Sequence, residues 1–184
     1  METRRRHDRT DDGPDADRRP DDHLAQRSRF SKRNLWSGVL FGLGLVAFID
    51  ETVFHQLLHW HHFYDLGTPD LGLVSDCFFH AFSWLATIGG LFLVADLRRR
   101  QAFWQLRWWG GVLLGAGAFQ LYDGLVQHKV LGIHQIRPVP DLLPYDVTWN
   151  AVAVLLLVVG VVLTVRTRAG RAGAVRPAGS ARAS

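Results

Sequence analysis

The sequence predicts an all-α membrane protein: four transmembrane helices arranged as two parallel two-helix repeats, with disordered tails at both ends. Three observations carry that expectation. Four stretches, roughly 35–60, 77–95, 108–130 and 147–165, are apolar for about the 20 residues that a bilayer requires. Lys and Arg gather in alternate connections, and residues 38–61 recur in register at 111–134.

The tails set the limits. Residues 1–34 hold ten Lys and Arg against eight acids, and the chain from Gly170 onward is built of Ala, Gly, Arg, Ser, Pro and Val. Such segments lack the apolar surface to offset ordering entropy, so 1–34 and 166–184 are expected to be disordered, leaving 35–165 as the transmembrane domain. The apparent basicity therefore lies in tails and one loop, which speaks against a nucleic-acid-binding face. Arg4–Arg6 are not followed closely by an apolar core and a small-residue cleavage site, so the first helix is expected to be a permanent anchor.

Arg27, Arg29, Lys32 and Arg33 precede the first helix, Arg98, Arg99, Arg100 and Arg107 lie between the second and third, and Arg166, Arg168 and Arg171 follow the fourth. The other two loops carry Asp65, Asp70, Asp76, Asp141 and Asp146 against Lys129 and Arg137. The positive-inside rule then places both termini in the cytoplasm and both acidic loops outside an inner membrane. The second and fourth helices are cleanly apolar. The first and third carry polar residues, as expected of helices that line an interior.

The repeat joins those two polar helices. GVLFGLG at 38–44 answers GVLLGAG at 111–117, and 123 − 50, 128 − 55 and 134 − 61 all equal 73, pairing Asp50 with Asp123, His55 with His128 and His61 with His134. The second and fourth helices match more loosely, Asp76 and His80 against Asp146 and Asn150, at an offset of 70. Two helices return the chain to its starting side, so such repeats are related by an axis along the membrane normal. The glycines fit close helix packing.

Within the first repeat the segment FIDETVFHQLLHWHHF, 48–63, puts Asp50, Glu51, His55, His59, His61 and His62 at the outer end of an apolar helix. Ionisable groups in hydrocarbon cost a few kcal/mol each, which makes a cluster of them a functional candidate. At about 100° per residue, Glu51, His55, His59 and His62 share one helix face and Asp50 and His61 another, roughly 140° away. One straight helix cannot aim all of them at one ion. Either the helix is buried on both sides, or Asp50 orients one group while the histidines bind elsewhere; Gly132 is placed to end the third helix before His134.

Imidazole with carboxylate suits Cu, Zn or Fe, and a carboxylate commonly orients a ligating ring. With one Cys and one Met in the chain, a soft copper(I) site is disfavoured. Cys77 reads as a small apolar residue and cannot form an internal disulfide.

Three separated motifs, Asp50-x4-His55-Gln56-x-Leu58-x-Trp60-His61-His62, Asp76-x3-His80 and Asp123-Gly-Leu-Val-x-His128-x2-Leu131-Gly132-Ile133-His134, resemble the bacterial membrane family DUF2243 over approximately 35–165. The resemblance implies a four-helix inner-membrane protein without a settled activity. The family pattern has Gln where this chain has His59 and Gly where it has Glu51 and Cys77, which implies that these are peripheral. The expected metal ligands are then His55, His61, His62, His80, His128 and His134, with Asp50, Asp76 and Asp123 as further ligands or orienting groups.

A transition-metal site serving metal handling or the maturation of a respiratory enzyme, with respiratory or metal-trafficking membrane proteins as partners, is the leading expectation. Haem held by His55 and His128 in an electron carrier is the alternative from another class. An iron oxygenase is suggested by His55-x3-His59 and His61-His62, but such enzymes keep their boxes on the cytoplasmic side. Purely structural hydrogen bonding between helices is the remaining reading.

Overall fold

The computed structural model describes residues 20–173; what was expected of 1–19 and 174–184 lies outside the described residues. All regular structure among the described residues is helical. Helix α1 spans Pro20–Asp50 and continues as a π-helical turn over Glu51–Leu57; α2 spans Pro69–Arg99; α3 spans Gln105–Tyr122 and continues as a π-helix over Asp123–Leu131; α4 spans Leu143–Gly173.

Two expected tails are corrected in part. Helix α1 begins at Pro20 and α4 runs to Gly173, so 20–34 and 166–173 are helical. The costly step in helix formation is the first turn, and an apolar span that is already helical lets polar flanking residues extend it one hydrogen bond at a time. Proline suits the first position because its fixed φ is helical and its missing N–H has no partner there. At the head of α2 the Thr68 hydroxyl accepts from the Leu71 amide at 3.3 Å with Pro69 beside it, which starts that helix well before the apolar run at 77.

Three of the helices, Leu24–Leu57, Pro69–Arg99 and Leu143–Arg168, are long and apolar enough to cross a membrane. Helix α3 with its π continuation has comparable length but carries Gln120, Tyr122, Asp123 and Gln127. Its position explains that composition. Helices α1 and α3 pack together at the centre, α2 packs on α1 and α4 on α3. Polar groups on the central pair find partners in protein, while Phe78, Leu85 and Phe92 of α2 and Leu155 and Val158 of α4 face outward and exposed.

The α1–α3 contact is backbone to backbone. A Cβ on Gly42 would strike the Val112 carbonyl, and one on Gly115 would strike the Val39 carbonyl. The relation is reciprocal, since 115 − 42 and 112 − 39 both equal 73. Only glycine permits that approach.

Arg107, expected in a loop, is instead buried in the first turn of α3. Its Nε donates to the Ser31 carbonyl at 2.9 Å and its Nη1 to the Thr167 hydroxyl at 3.1 Å, tying α1, α3 and α4 at the end of the bundle that carries Arg98–Arg100. Asn34 works beside it: its Oδ1 accepts from the Trp104 amide at 2.7 Å and its Nδ2 donates to the Ala102 carbonyl at 2.9 Å.

Candidate metal centre

The other end of the bundle is where the histidines meet, and the π-helical turns are why. Asp50 and His55, like Asp123 and His128, stand five residues apart, about 140° on an α-helix. A π-helix bonds i to i+5 and brings residues at that spacing onto one face. The Gln56 amide donating to Glu51 Oε1 at 2.8 Å, also five apart, belongs to the same turn. The phase calculated for a straight α-helix is thereby corrected.

Both π segments stop abruptly. His59 adopts φ 50° and Gly132 φ 59°, the left-handed conformation that ends a helix. The Trp60 amide then donates to the Phe54 carbonyl at 2.9 Å and the Ile133 amide to the Gln127 carbonyl at 3.2 Å. His61 and His134 thus leave helical phase and fold back over the helix ends. Each loop clasps the other: His61 Nδ1 donates to the Ile136 carbonyl and His134 Nδ1 to the Phe63 carbonyl, both at 2.9 Å.

Two corresponding triads result, Asp50–His55–His61 and Asp123–His128–His134, and a third group, Glu51–His55–Asp76, shares His55 with the first; all are buried, with donor atoms within 4.8 Å of one another. The two triads adjoin. The His61 and His134 rings stack with centroids 4.7 Å apart, and His55 to His134 and His61 to His128 are 6.2 and 6.3 Å.

A carbonyl only accepts, so Nδ1 carries the hydrogen in His61 and His134 and Nε2 bears the lone pair of the neutral ring. His134 Nε2 lies 3.3 Å from Asp123 Oδ1 without a hydrogen-bond partner, and His128 Nε2 lies 3.1 Å from Asp123 Oδ2 but off the N–H direction. His55 Nε2 and Asp50 Oδ1 are likewise buried without a hydrogen-bond partner, with 3.8 Å between His55 Nε2 and Asp50 Oδ2. Two ligands bound tetrahedrally at ~2.0–2.1 Å stand about 3.3 Å apart, so these separations suit the edges of a coordination polyhedron.

The first triad has extra acids. His55 Nδ1 is 3.0 Å from both Glu51 Oε2 and Asp76 Oδ1, and Asp76 Oδ2 is 2.6 Å from Nδ1 of the part-exposed His62. Asp76 also accepts from the Phe63 amide at 2.7 Å. Glu51, expected to be peripheral, is fully buried at the centre. Among the described residues no Lys or Arg is bonded to Asp50, Glu51, Asp76 or Asp123; Lys129 pairs with Asp146 at 2.6 Å and Arg137 lies over Trp60. Burial, reinforced by His55 and His134, pushes the His61 imidazole down to about 2, so it stays neutral and able to ligate.

One expected ligand stands apart: His80 Nε2 accepts from Trp84 Nε1 at 3.0 Å, beside Phe48. His59, expected to be peripheral, is exposed. His62 reaches the cluster only through Asp76. Gln127, which the sequence reading passed over, is buried with its Oε1 lacking a hydrogen-bond partner. Its spacing four residues after Asp123 was a signal only for an α-helix. On the flank, Phe79 and Phe63 separate the triads from an apolar cavity of about 470 Å³ between α1, α2 and α3.

The family model described as a predicted membrane protein, DUF2243, matches residues 37–167. No curated protein and no solved structure matches the chain.

Proposed function

Because the chain belongs to the DUF2243 family of predicted membrane proteins, we propose that it is a multi-pass protein that binds a transition metal through the histidine–aspartate triads of its bundle. The observation that carries this reading is His134. Its Nδ1 hydrogen goes to the Phe63 carbonyl, which leaves the Nε2 lone pair beside Asp123 Oδ1, 3.3 Å away and off the hydrogen-bond direction. Two acceptor atoms so placed repel, and a cation between them turns repulsion into coordination. A proton on Nε2 would serve the same end, which makes metal content the deciding measurement.

The donor set of imidazole and carboxylate favours Zn, Cu(II) or Fe over a thiolate-loving ion. In this reading α3 with its π continuation is the fourth span, both termini are cytoplasmic, and the triads lie near the outer face of an inner membrane. Arg98–Arg100 at one end of the bundle, and Asp65, Asp70 and Asp141 at the other, support that orientation. The reciprocal contacts of Gly42 with Val112 and Gly115 with Val39, and the reciprocal clasps of His61 on the Ile136 carbonyl and His134 on the Phe63 carbonyl, support two parallel repeats about a shared axis. The metal is held there for handling or transfer to a respiratory or metal-trafficking membrane protein.

The test is the elemental content and visible spectrum of the protein purified in mild detergent without added metal, beside a His55→Ala, His128→Ala double variant. Near-stoichiometric zinc, copper or iron that the variant loses is the expected result. A Soret band lost in the variant would replace this reading with a haem carrier. Preparations that are metal-free and bind no added ion would end it, leaving the triads as protonated hydrogen-bonded pairs.

A further inference from the structure

Resting on the metal reading, we infer that the cluster is a dinuclear centre with two unequal sites, a tighter one at Asp50–His55–His61 and a weaker one at Asp123–His128–His134. Each triad draws three donors from the end of one central helix with its π continuation and the loop after it, and the two share no residue; His55 also belongs to a third group, with Glu51 and Asp76. In both, the loop histidine is held by Nδ1 to a backbone carbonyl of the opposite half, so the two Nε2 atoms are oriented independently of any metal. An outer hydrogen bond of that kind is the usual support of a ligating imidazole.

Charge points to the same count. Asp50, Glu51, Asp76 and Asp123 are all buried, and no Lys or Arg among the described residues is bonded to them. Glu51 and Asp76 are held by the Gln56 and Phe63 amides and by histidines, but a buried carboxylate without a cationic partner still costs several kcal/mol. Two divalent cations would balance four ionised carboxylates, and the stacked His61 and His134 rings, 4.7 Å apart, set the two triads side by side as in two-metal centres.

The inequality follows from the second nitrogen of the helix histidine. His55 Nδ1 donates to Asp76 Oδ1 at 3.0 Å, which raises its basicity as a ligand through Nε2, and Glu51 Oε2 stands at the same distance as a second nearby negative group without a hydrogen-bond partner. His128 Nδ1 is buried without a hydrogen-bond partner. The residue 73 positions after Glu51 is Gly124, and the one 70 after Asp76 is Asp146, which is engaged with Lys129 at 2.6 Å. The second half therefore lacks a counterpart of either carboxylate at its helix histidine, and the absence of such an outer partner lowers metal affinity about 10–100-fold.

The experiment titrates Zn(II) into the full chain in detergent after stripping by chelator, by calorimetry, and repeats the loading with Cu(II) for electron paramagnetic resonance. Two equivalents of Zn(II) are expected, the first bound about 10–100-fold more tightly, and two equivalents of Cu(II) give a spin-coupled spectrum. His128→Ala should remove the second step and keep the first. Asp76→Asn, with Glu51→Gln as a second variant, should weaken the first step and leave the second. One equivalent in the wild type with an isolated Cu(II) signal would overturn the dinuclear centre and leave the metal reading intact, whereas no binding at all would overturn that reading. Two equal steps, or a first step that neither acidic variant weakens, would overturn the inequality; the wild-type stoichiometry needs no variant to fold.

Discussion

His59 and Gly132 occupy the same place at the ends of the two π segments, and both have φ near +55°, at 50° and 59°. For an L residue with a Cβ this conformation costs about 1–2 kcal/mol, part of which glycine gives back through its freer unfolded chain. His59→Gly should therefore raise stability by about 0.5–1 kcal/mol without changing metal content, and Gly132→Ala should lower it by about 1 kcal/mol; thermal unfolding in detergent reads both. A His59 that ligated metal would instead lose binding in the first variant. The same separation applies to the other histidines. His80→Ala, whose ring is engaged by Trp84, should leave metal content unchanged, His62→Ala should reduce affinity by about 10-fold through Asp76, and His55→Ala should lose the tighter site. Elemental analysis after dialysis against a weak chelator ranks the three.

At the scale of elements, the central α1–α3 contact sets how close the two triads come. A Cβ at Gly42 or Gly115 would meet a carbonyl of the facing backbone, which can yield only if the helices separate. Gly42→Ala and Gly115→Ala should each destabilise by about 1–3 kcal/mol and weaken metal binding together. Gly89 is the control: a Cβ there would meet only the flexible Leu40 side chain, at 3.3 Å, so Gly89→Ala should be neutral or stabilising by up to about 1 kcal/mol because alanine is the better helix former. Unfolding midpoints of the three variants decide the matter. Equal effects at all three positions would mean that the close contact does not carry the packing.

For the whole molecule, the orientation proposed from charge predicts which loops a membrane-impermeant thiol reagent reaches. In a Cys77→Ser background, Gly67→Cys in the loop before α2 should be labelled from outside intact cells, and Gln101→Cys between α2 and α3 only after the membrane is opened. The reverse pattern would place the triads at the cytoplasmic end and remove the case for an outward-facing metal site. The two ends of the bundle differ in kind as well as in charge. Arg107 and Asn34 make one end a hydrogen-bonded joint between helices, where Trp108 Nε1 is the buried side-chain atom without a hydrogen-bond partner among the described residues, whereas the other keeps several such atoms among its histidines and acids. Packing explains the first arrangement, and the second is what the proposed cation would satisfy.

Composition and periodicity by themselves determined that the chain is helical and apolar enough for a membrane, that its polar residues gather on the first and third helices, and that Asp50, His55 and His61 answer Asp123, His128 and His134. Those properties are local or additive, summed along the sequence. The tertiary structure decided the rest. A π turn changes the angle per residue, so the face shared by Asp50 and His55 could not be calculated from an α-helical period. Loop histidines take their direction from carbonyls 71 and 75 positions away. Glu51 moved from the margin to the centre, and His80 from the centre to the margin, for the same reason: in a low-dielectric interior the partner that a polar group meets across a helix contact, and not its neighbours in sequence, fixes what it can do.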